Sequence, residues 1–279
     1  MDKDLFTLTT PRFTIEGRSR AGHETWFRIR DLGVMLDLGR GPDAAVGISN
    51  VFITHAHLDH ASGIAHYAGQ RQLHSMTGAK VWVPAAAADG FRELLGAWER
   101  LTNTRFDDVE ILGLAAGESA RISRTIEVRA HAATHRIAAN AYEIIEVRHH
   151  LKEEGLSQEE IHRRRAEVIE EYRAPLLFYT GDTDRGILEN CAALYRAEVL
   201  MIECSFLADG HQERAARYRH IHFDDIAEVA ERFQNELVIL THFSRRHGRA
   251  EIRDAIARRC PAVLRERLRL ALPEPYQRV

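Results

Sequence analysis

The sequence predicts an α/β sandwich rather than an all-β fold, and three observations carry that prediction. Buried β runs alternate with stretches of helical periodicity along most of the chain. Three of the later runs, Leu176–Asp184, Val199–Phe206 and Glu236–Ser244, each hold an ionisable group at or near their end: Asp182, Glu203 and His242. Ligand sites of α/β sheets gather at such carboxyl ends of strands. The third observation is VFITHAHLDH, Val51–His60, where a short buried strand runs straight into His55, His57, Asp59 and His60. Alternate residues of extended chain point the same way, so His55, His57 and Asp59 can converge. A turn into a helix at Ala61-Ser62-Gly63 would bring His60 round to join them. Imidazole and carboxylate are natural ligands for a borderline divalent ion such as zinc.

The remaining elements follow in chain order. Arg12–Glu16, Thr25–Arg30 and Gly33–Asp37 read as strands, with turns at Gly22 and Asp31. Asp37, at the end of a buried run and before Gly39 and Gly41, either caps the turn or partners a metal-binding histidine. Ala61–Leu73 reads as a helix, Val81–Pro84 as a strand, and Pro84 as the head of a further helix. Phe91, Leu94, Leu95 and Trp98 make that helix's apolar stripe, read most simply as core. Short strands are expected at Val109–Leu112, Ala120–Ser123 and Thr125–Ala130, and His135 lies just beyond the last of them.

Composition bounds the function. Of 279 residues 45% are apolar and 28% charged, which is ordinary for a globular protein. There is no run of 18 apolar residues and no basic-then-apolar leader, so a cytoplasmic protein without membrane association is expected. Three cysteines without paired spacing fit a reducing compartment and offer no CxxC metal clip. The net charge of −3 leaves no global nucleic-acid footprint, so any polyanion site must be local.

THAHLDH, the later His135, the aspartate of YTGDT and the histidine of LTHFS together resemble the metallo-β-lactamase superfamily. The tyrosine before TGDT, LTHFS followed by Arg246, and the paired IECSF and RHIHFDDIA segments resemble its short-form tRNase Z branch, the tRNA 3′-processing endonucleases. The resemblance spans roughly residues 20–260. It implies an α/β fold of the αββα type, two packed sheets with helices outside, as a single domain over residues 1–279. It also implies two Zn2+ ions, with Mn2+ or Fe2+ as alternatives. His55, His57 and His135 would hold one, Asp59, His60 and His242 the other, and Asp182 would bridge them. Glu203 and His220 would form a proton-delivery pair; His220 fits the spacing back from His242 better than His222 does. Asp59 would orient the nucleophile. Precursor tRNA is the implied substrate and a homodimer the implied assembly.

Two features depart from that branch. The interval at about 148–173, where the family carries a recognition arm rich in glycine, proline and lysine, is short here and holds six Lys/Arg against seven Asp/Glu. It reads as a helical arm, with a capping box at Ser157 and Glu160 and Ile161, Val168, Ile169 and Tyr172 at helical spacing. His247 stands where the family commonly has tyrosine. The alternative reading is therefore a small-molecule metallohydrolase, a phosphodiesterase or lactonase, on the same dinuclear site.

Overall fold

The computed structural model describes residues 5–153 and 157–279. Fourteen strands among these residues form two sheets of seven. The first sheet takes β1 (Phe6–Thr9), β2 (Thr14–Arg20), β3 (Glu24–Ile29), β4 (Val34–Leu36), β5 (Asn50–Phe52), β6 (Ala79–Pro84) and β7 (Val109–Leu114), in that spatial order. Its first four strands are antiparallel and β4 to β7 are parallel. The second takes β8 (Ser119–Arg121), β9 (Ile126–Ala132), β10 (Asn140–Leu151), β11 (Ile169–Tyr179), β12 (Val199–Glu203), β13 (Leu237–Thr241) and β14 (Leu268–Leu270). Here too four antiparallel strands lead into a parallel run.

The helices are α1 (Asp43–Val46), α2 (Leu58–Ala61), α3 (Ile64–Leu73), α4 (Ala88–Thr102), α5 (Gln158–Arg163), α6 (Arg165–Val168), α7 (Gly186–Asn190), α8 (Gln212–Tyr218), α9 (Phe223–Glu228), α10 (Arg249–Arg259) and α11 (Ala262–Arg265). Three apolar clusters define the layers. Phe27, Leu36 and Phe52 of the first sheet meet Tyr142, Leu177 and Met201 of the second in a central core. Val51 and Ile53 face the other way, under α3 and α4, while Leu200, Ile202 and Leu240 pack beneath the helices of the second half. The period of two in runs such as VLMIE produces this division, because each strand is apolar on both faces. The arrangement is the expected αββα sandwich.

The helical reading of the arm extends too far. β10 continues to Leu151 and β11 begins at Ile169, so that Arg148 lies opposite Tyr172 and Leu151 opposite Ile169. Only the tip is helical, and there the Ser157–Glu160 capping box is formed. Residues 154–156 and the side chain of Ile161 lie outside the described residues. Val168 is fully buried while Tyr172 is 44% exposed, so the apolar residues share no helical face. Cross-strand contacts, including Arg148 Nη1 donating to Tyr172 Oη at 2.9 Å, decide for sheet. The α4 stripe also divides. Phe91 and Leu95 enter the core, whereas Leu94 and Trp98 are exposed, because one flank of α4 faces solvent. Pro84 ends β6 rather than starting α4.

Gly181 shows how tightly the sandwich closes beside the strand ends. Its φ is +56°, and a Cβ there would sit 2.6 Å from Thr54 Cγ2. Gly181→Ala is expected to destabilise the protein by about 1–3 kcal/mol, the usual scale for overpacking. A thermal melt checks this, and an unchanged Tm would mean that Thr54 gives way freely.

Candidate metal centre

The sequence-predicted ligands all arrive from the ends of central elements. β5 stops at Phe52, and the extended chain beyond it places His55 and then His57, the residue that starts α2. One helical turn puts Asp59 and His60 on α2, which is how His60 reaches its neighbours. His135 comes from the loop after β9, Asp182 from the loop after β11, and His242 from the residue after β13, in the left-handed region at φ 58°.

All seven side chains meet in one place. His57 Nδ1 lies 3.0 Å from His55 Nε2 and 3.1 Å from His135 Nε2. His60 Nε2 lies 3.3 Å from His242 Nε2, which is 3.4 Å from Asp59 Oδ2. Asp182 stands between, with Oδ2 3.7 Å from His55 Nε2 and 3.3 Å from His242 Nε2, and Oδ1 3.4 Å from His60 Nε2. Ligand-type atoms of His55, His57, His135 and Asp182 fall within 4.8 Å of one another, as do those of Asp59, His60 and His242. A further grouping of Asp182, His220 and His242 shares two members with these.

The outer nitrogens fix the tautomers. His60 Nδ1 donates to Asp37 Oδ2 at 2.8 Å, and His55 Nδ1 to Thr54 Oγ1 at 3.0 Å. His242 Nδ1 donates to Ser205 Oγ at 2.8 Å, and His135 Nδ1 to the Arg219 carbonyl at 3.1 Å. The rings of His55, His135 and His242 therefore turn an unprotonated Nε2 inward, the arrangement that metal-binding histidines use. Lone pairs facing each other near 3 Å repel unless a cation lies among them. Asp182 Oδ1 is buried and accepts no hydrogen bond among the described residues. The donor set thus fits metal cations of the zinc class.

Electrostatics agree. Burial holds the pKa values of His55, His57 and His135 below the usual histidine value, so these rings stay neutral. Burial opposes the charge on Asp182, yet the adjoining His242 and His60 keep its carboxyl well below the ordinary range. His60 goes the other way: burial opposes its charge, but Asp182 and Asp37 raise its pKa. Those carboxylates demand a positive charge at this point, and a cation supplies it equally well.

Asp37 is the partner of His60 rather than a simple turn cap. It is fully buried, with φ 56°, and also accepts from Thr54 N at 2.7 Å and Tyr179 Oη at 2.8 Å. Sequence reasoning assigned no role to Thr54 or Ser205, and it read Arg219 as one of several local arginines able to hold a phosphate backbone, whereas its carbonyl accepts from His135 and its guanidinium pairs with Asp184. Ser205 lies inside the IECSF segment, but nothing in the sequence shows that its hydroxyl meets His242.

Beside the ligands stands a second pair. Glu203, fully buried at the end of β12, accepts from His220 Nδ1 at 2.9 Å, Thr183 N at 2.8 Å and Ser205 Oγ at 2.7 Å. His222 is occupied elsewhere: its Nδ1 accepts from Asp224 N at 3.1 Å, capping α9, and its Nε2 donates to the Ala208 carbonyl. Burial works against charge on His220, but the Glu203 carboxylate and its hydrogen bond outweigh it, and the pKa is raised to about 9. The His220 ring lies 5.2 Å from that of His135 and 5.5 Å from that of His242. It borders a cavity of about 530 Å³ lined also by Phe206, Arg214, Tyr218, Arg245 and Arg246.

Asp37→Asn keeps the shape but replaces one acceptor oxygen by a donor facing His60. Metal affinity, measured by competition with a chelator, is expected to fall roughly 10–100-fold, the usual worth of such a partner. Unchanged affinity would return Asp37 to the role of a turn cap.

Comparison with known proteins bears on the family and the fold. A family model described as a β-lactamase superfamily domain matches residues 34–243. The protein named tRNase Z TRZ1 of Arabidopsis thaliana is 33% identical over 253 residues, covering 88% of this chain and 90% of that relative. Among solved structures, the short form of human tRNase Z superimposes with a TM-score of 0.56 at 18% identity, over 87% of this chain and 93% of that one. The metallo-β-lactamase fold protein YhfI from Bacillus subtilis does so with a TM-score of 0.61 at 15% identity, over 97% and 96%. At such identities the two structures speak for the fold alone. The family match and the 33% relative place the chain more narrowly: it belongs to the β-lactamase superfamily, among the relatives of tRNase Z.

Proposed function

We propose that this protein is a metal-dependent phosphodiester hydrolase that removes 3′ trailers from precursor tRNA by endonucleolytic cleavage. The observation that carries this reading is the Glu203–His220 pair, set at the edge of the ligand cluster with His220 facing an arginine-lined cavity. Sequence similarity to proteins named tRNase Z supports the choice of substrate. In this reading His55, His57 and His135 hold one zinc-class ion and Asp59, His60 and His242 a second, with Asp182 shared. When bound, such ions neutralise charge on phosphoryl oxygens and make a water molecule more acidic.

The chain's own groups do the rest. Asp59 Oδ2, fixed by the Gly22 N–H at 2.7 Å, orients the attacking water in line with the departing 3′-oxygen. His220 carries its proton at neutral pH, gives it to that oxygen and leaves a 3′-hydroxyl on the tRNA body. Glu203 steadies the imidazolium and holds the ring in place. Arg214, Arg245 and Arg246 receive backbone phosphates, and Tyr218, with the guanidinium groups of Arg136 and Arg214 within 5.8 Å of its ring centre, offers a face for a base.

A small-molecule phosphodiesterase or lactonase is the second reading, favoured by the near-neutral arm. The two are separated by incubating metal-loaded protein with a 3′-extended precursor tRNA and, in parallel, with a small phosphodiester or lactone. Uncut tRNA beside efficient small-molecule hydrolysis would reverse the assignment. His220→Ala is expected to lower precursor cleavage about 10²–10⁴-fold, the range for general acid–base catalysis, with metal content unchanged. Full activity there, with loss in His222→Ala, would move the acid to His222.

The arm's charges nearly cancel, so it adds little to counterion release. Replacing residues 152–168 by a short turn should leave the slope of log affinity against log salt for precursor tRNA unchanged, where each duplex phosphate contact is worth about −0.9. A slope shallower by one or more units would make the arm an electrostatic clamp.

The proposal includes a homodimer. Leu94, Trp98 and Leu101 are 43%, 44% and 77% exposed at successive turns of one face of α4, beside a groove of about 460 Å³ shared with α3. Sedimentation should give a dimer for the native chain and a monomer for Trp98→Glu with Leu101→Glu; a monomeric native chain would end the idea. No helix among the described residues is long and apolar enough to cross a membrane. The three free cysteines suit a reducing compartment such as the cytoplasm.

A further inference from the structure

Away from the metal centre, three reactive side chains line up on the outer face of the second sheet. His131 of β9 presents Nε2 to Glu143 Oε2 of β10 at 2.8 Å. Its Nδ1 lies 3.7 Å from the Sγ of Cys191, the residue that closes α7. The ring packs on Phe178, with centroids 5.1 Å apart, which holds both nitrogens in line. His131 and Glu143 retain only 19% and 9% of their side-chain exposure, whereas Cys191 is partly open to solvent.

We propose that Cys191, His131 and Glu143 form a peroxide-reactive thiol site, in which hydroperoxides oxidise Cys191 to a sulfenic acid. Glu143 binds one end of the imidazole and favours its protonated form. The other N–H then points at the sulfur, where it meets negative charge with a charge-assisted hydrogen bond. Burial opposes the charge on His131, but the hydrogen bonds with Cys191 and Glu143 outweigh it, and the pKa is raised to about 9.

The step balances within this group. The Cys191 thiolate attacks one oxygen of hydrogen peroxide, forming an S–O bond as the O–O bond breaks. The departing hydroxide takes the Nδ1 proton of His131 and leaves as water. Sulfur loses two electrons, the peroxide gains them, and the imidazole ends neutral. Selectivity follows from burial. Cys204 and Cys260 are 0% and 5% exposed, and burial pushes both thiols up, which keeps them protonated and inert.

The test treats the full-length protein with hydrogen peroxide at pH 7, traps sulfenic acid with dimedone, and locates the adduct by peptide mass spectrometry. Cys191 should be labelled, with Cys204 and Cys260 unlabelled. Its oxidation should run about tenfold or more faster than that of free cysteine, because the His131 N–H stands beside the sulfur, where it can protonate the departing oxygen. His131→Gln should bring the rate to that of free cysteine, and Glu143→Gln should lower it severalfold. A Cys191 rate no greater than free cysteine, or preferential labelling of another thiol, would overturn the proposal. Should His131→Gln not fold, Glu143→Gln decides alone, and an unchanged rate in that variant also overturns it.

Discussion

Asp37 places a carboxylate where no solvent reaches it, and donors from three separate elements converge to keep it there. Thr54 gives both its amide and its hydroxyl from the chain after β5, His60 gives Nδ1–H from α2, and Tyr179 gives its phenol from β11 in the opposite sheet. A buried carboxylate without such partners would cost several kcal/mol, and removal of one partner leaves the others unsatisfied. The backbone at Asp37 also sits in the left-handed region, which residues other than glycine adopt at a penalty. That combination ties the end of β4 to the ligand segment and the first sheet to the second. The orientation of His60 is thereby settled by the fold, before any cation binds.

Glu203 repeats the device in the other half of the molecule. It too is fully buried and filled by donors, and it too orients one histidine through Nδ1. The two halves share the same strand plan, antiparallel strands leading into a parallel run, and each carries a carboxylate–histidine pair whose acid sits at a strand's end. What differs is the surroundings of the second nitrogen. His60 Nε2 faces Asp182, Asp59 and His242 within 3.7 Å, a concentration of ligand atoms. His220 borders an open cavity. In the proposed function the first arrangement suits a ligand and the second a proton donor, and Ser205 touches both sides by bonding Glu203 and His242.

This difference explains what could be seen in the sequence. The candidate ligands were legible because metal binding restricts both residue type and spacing, and because buried strands announce themselves as apolar runs such as VLMIE and LVILT. The pairing of His220 rather than His222 with Glu203 was legible only through resemblance. By local pattern both are polar residues at a helix start, and His222 does serve as that cap. Asp37 stayed ambiguous because its partners Thr54, His60 and Tyr179 lie 17, 23 and 142 positions away. The arm misled for a different reason. Val168, Ile169 and Tyr172 satisfy helical spacing on paper, but pairing of β10 with β11 down to Leu151 and Ile169 outweighs local propensity. β1 and β14, only four and three residues long, have too little pattern to be read without their neighbours.

Charge raises the last question, since a protein of net charge −3 is here assigned a polyanionic substrate. Many of its arginines are structural. Arg219 pairs with Asp184, Arg185 with Asp225 and Glu228, and Arg259 with Asp209 and Asp224. In the arm, Arg164 pairs with Glu153 and Glu167. These pairs neutralise themselves and leave little field for a distant phosphate. The cavity beside His220 is different. Arg214, Arg245 and Arg246 line it, and none forms an ion pair among the described residues. A concave site walled by protein focuses the field of such charges. Positive potential at the metal centre therefore does not require a basic protein; it requires that the acids be engaged elsewhere. The near-neutral arm and the acidic net charge are compatible with a phosphodiester substrate for that reason, provided that recognition is concentrated within reach of Arg214, Arg245 and Arg246.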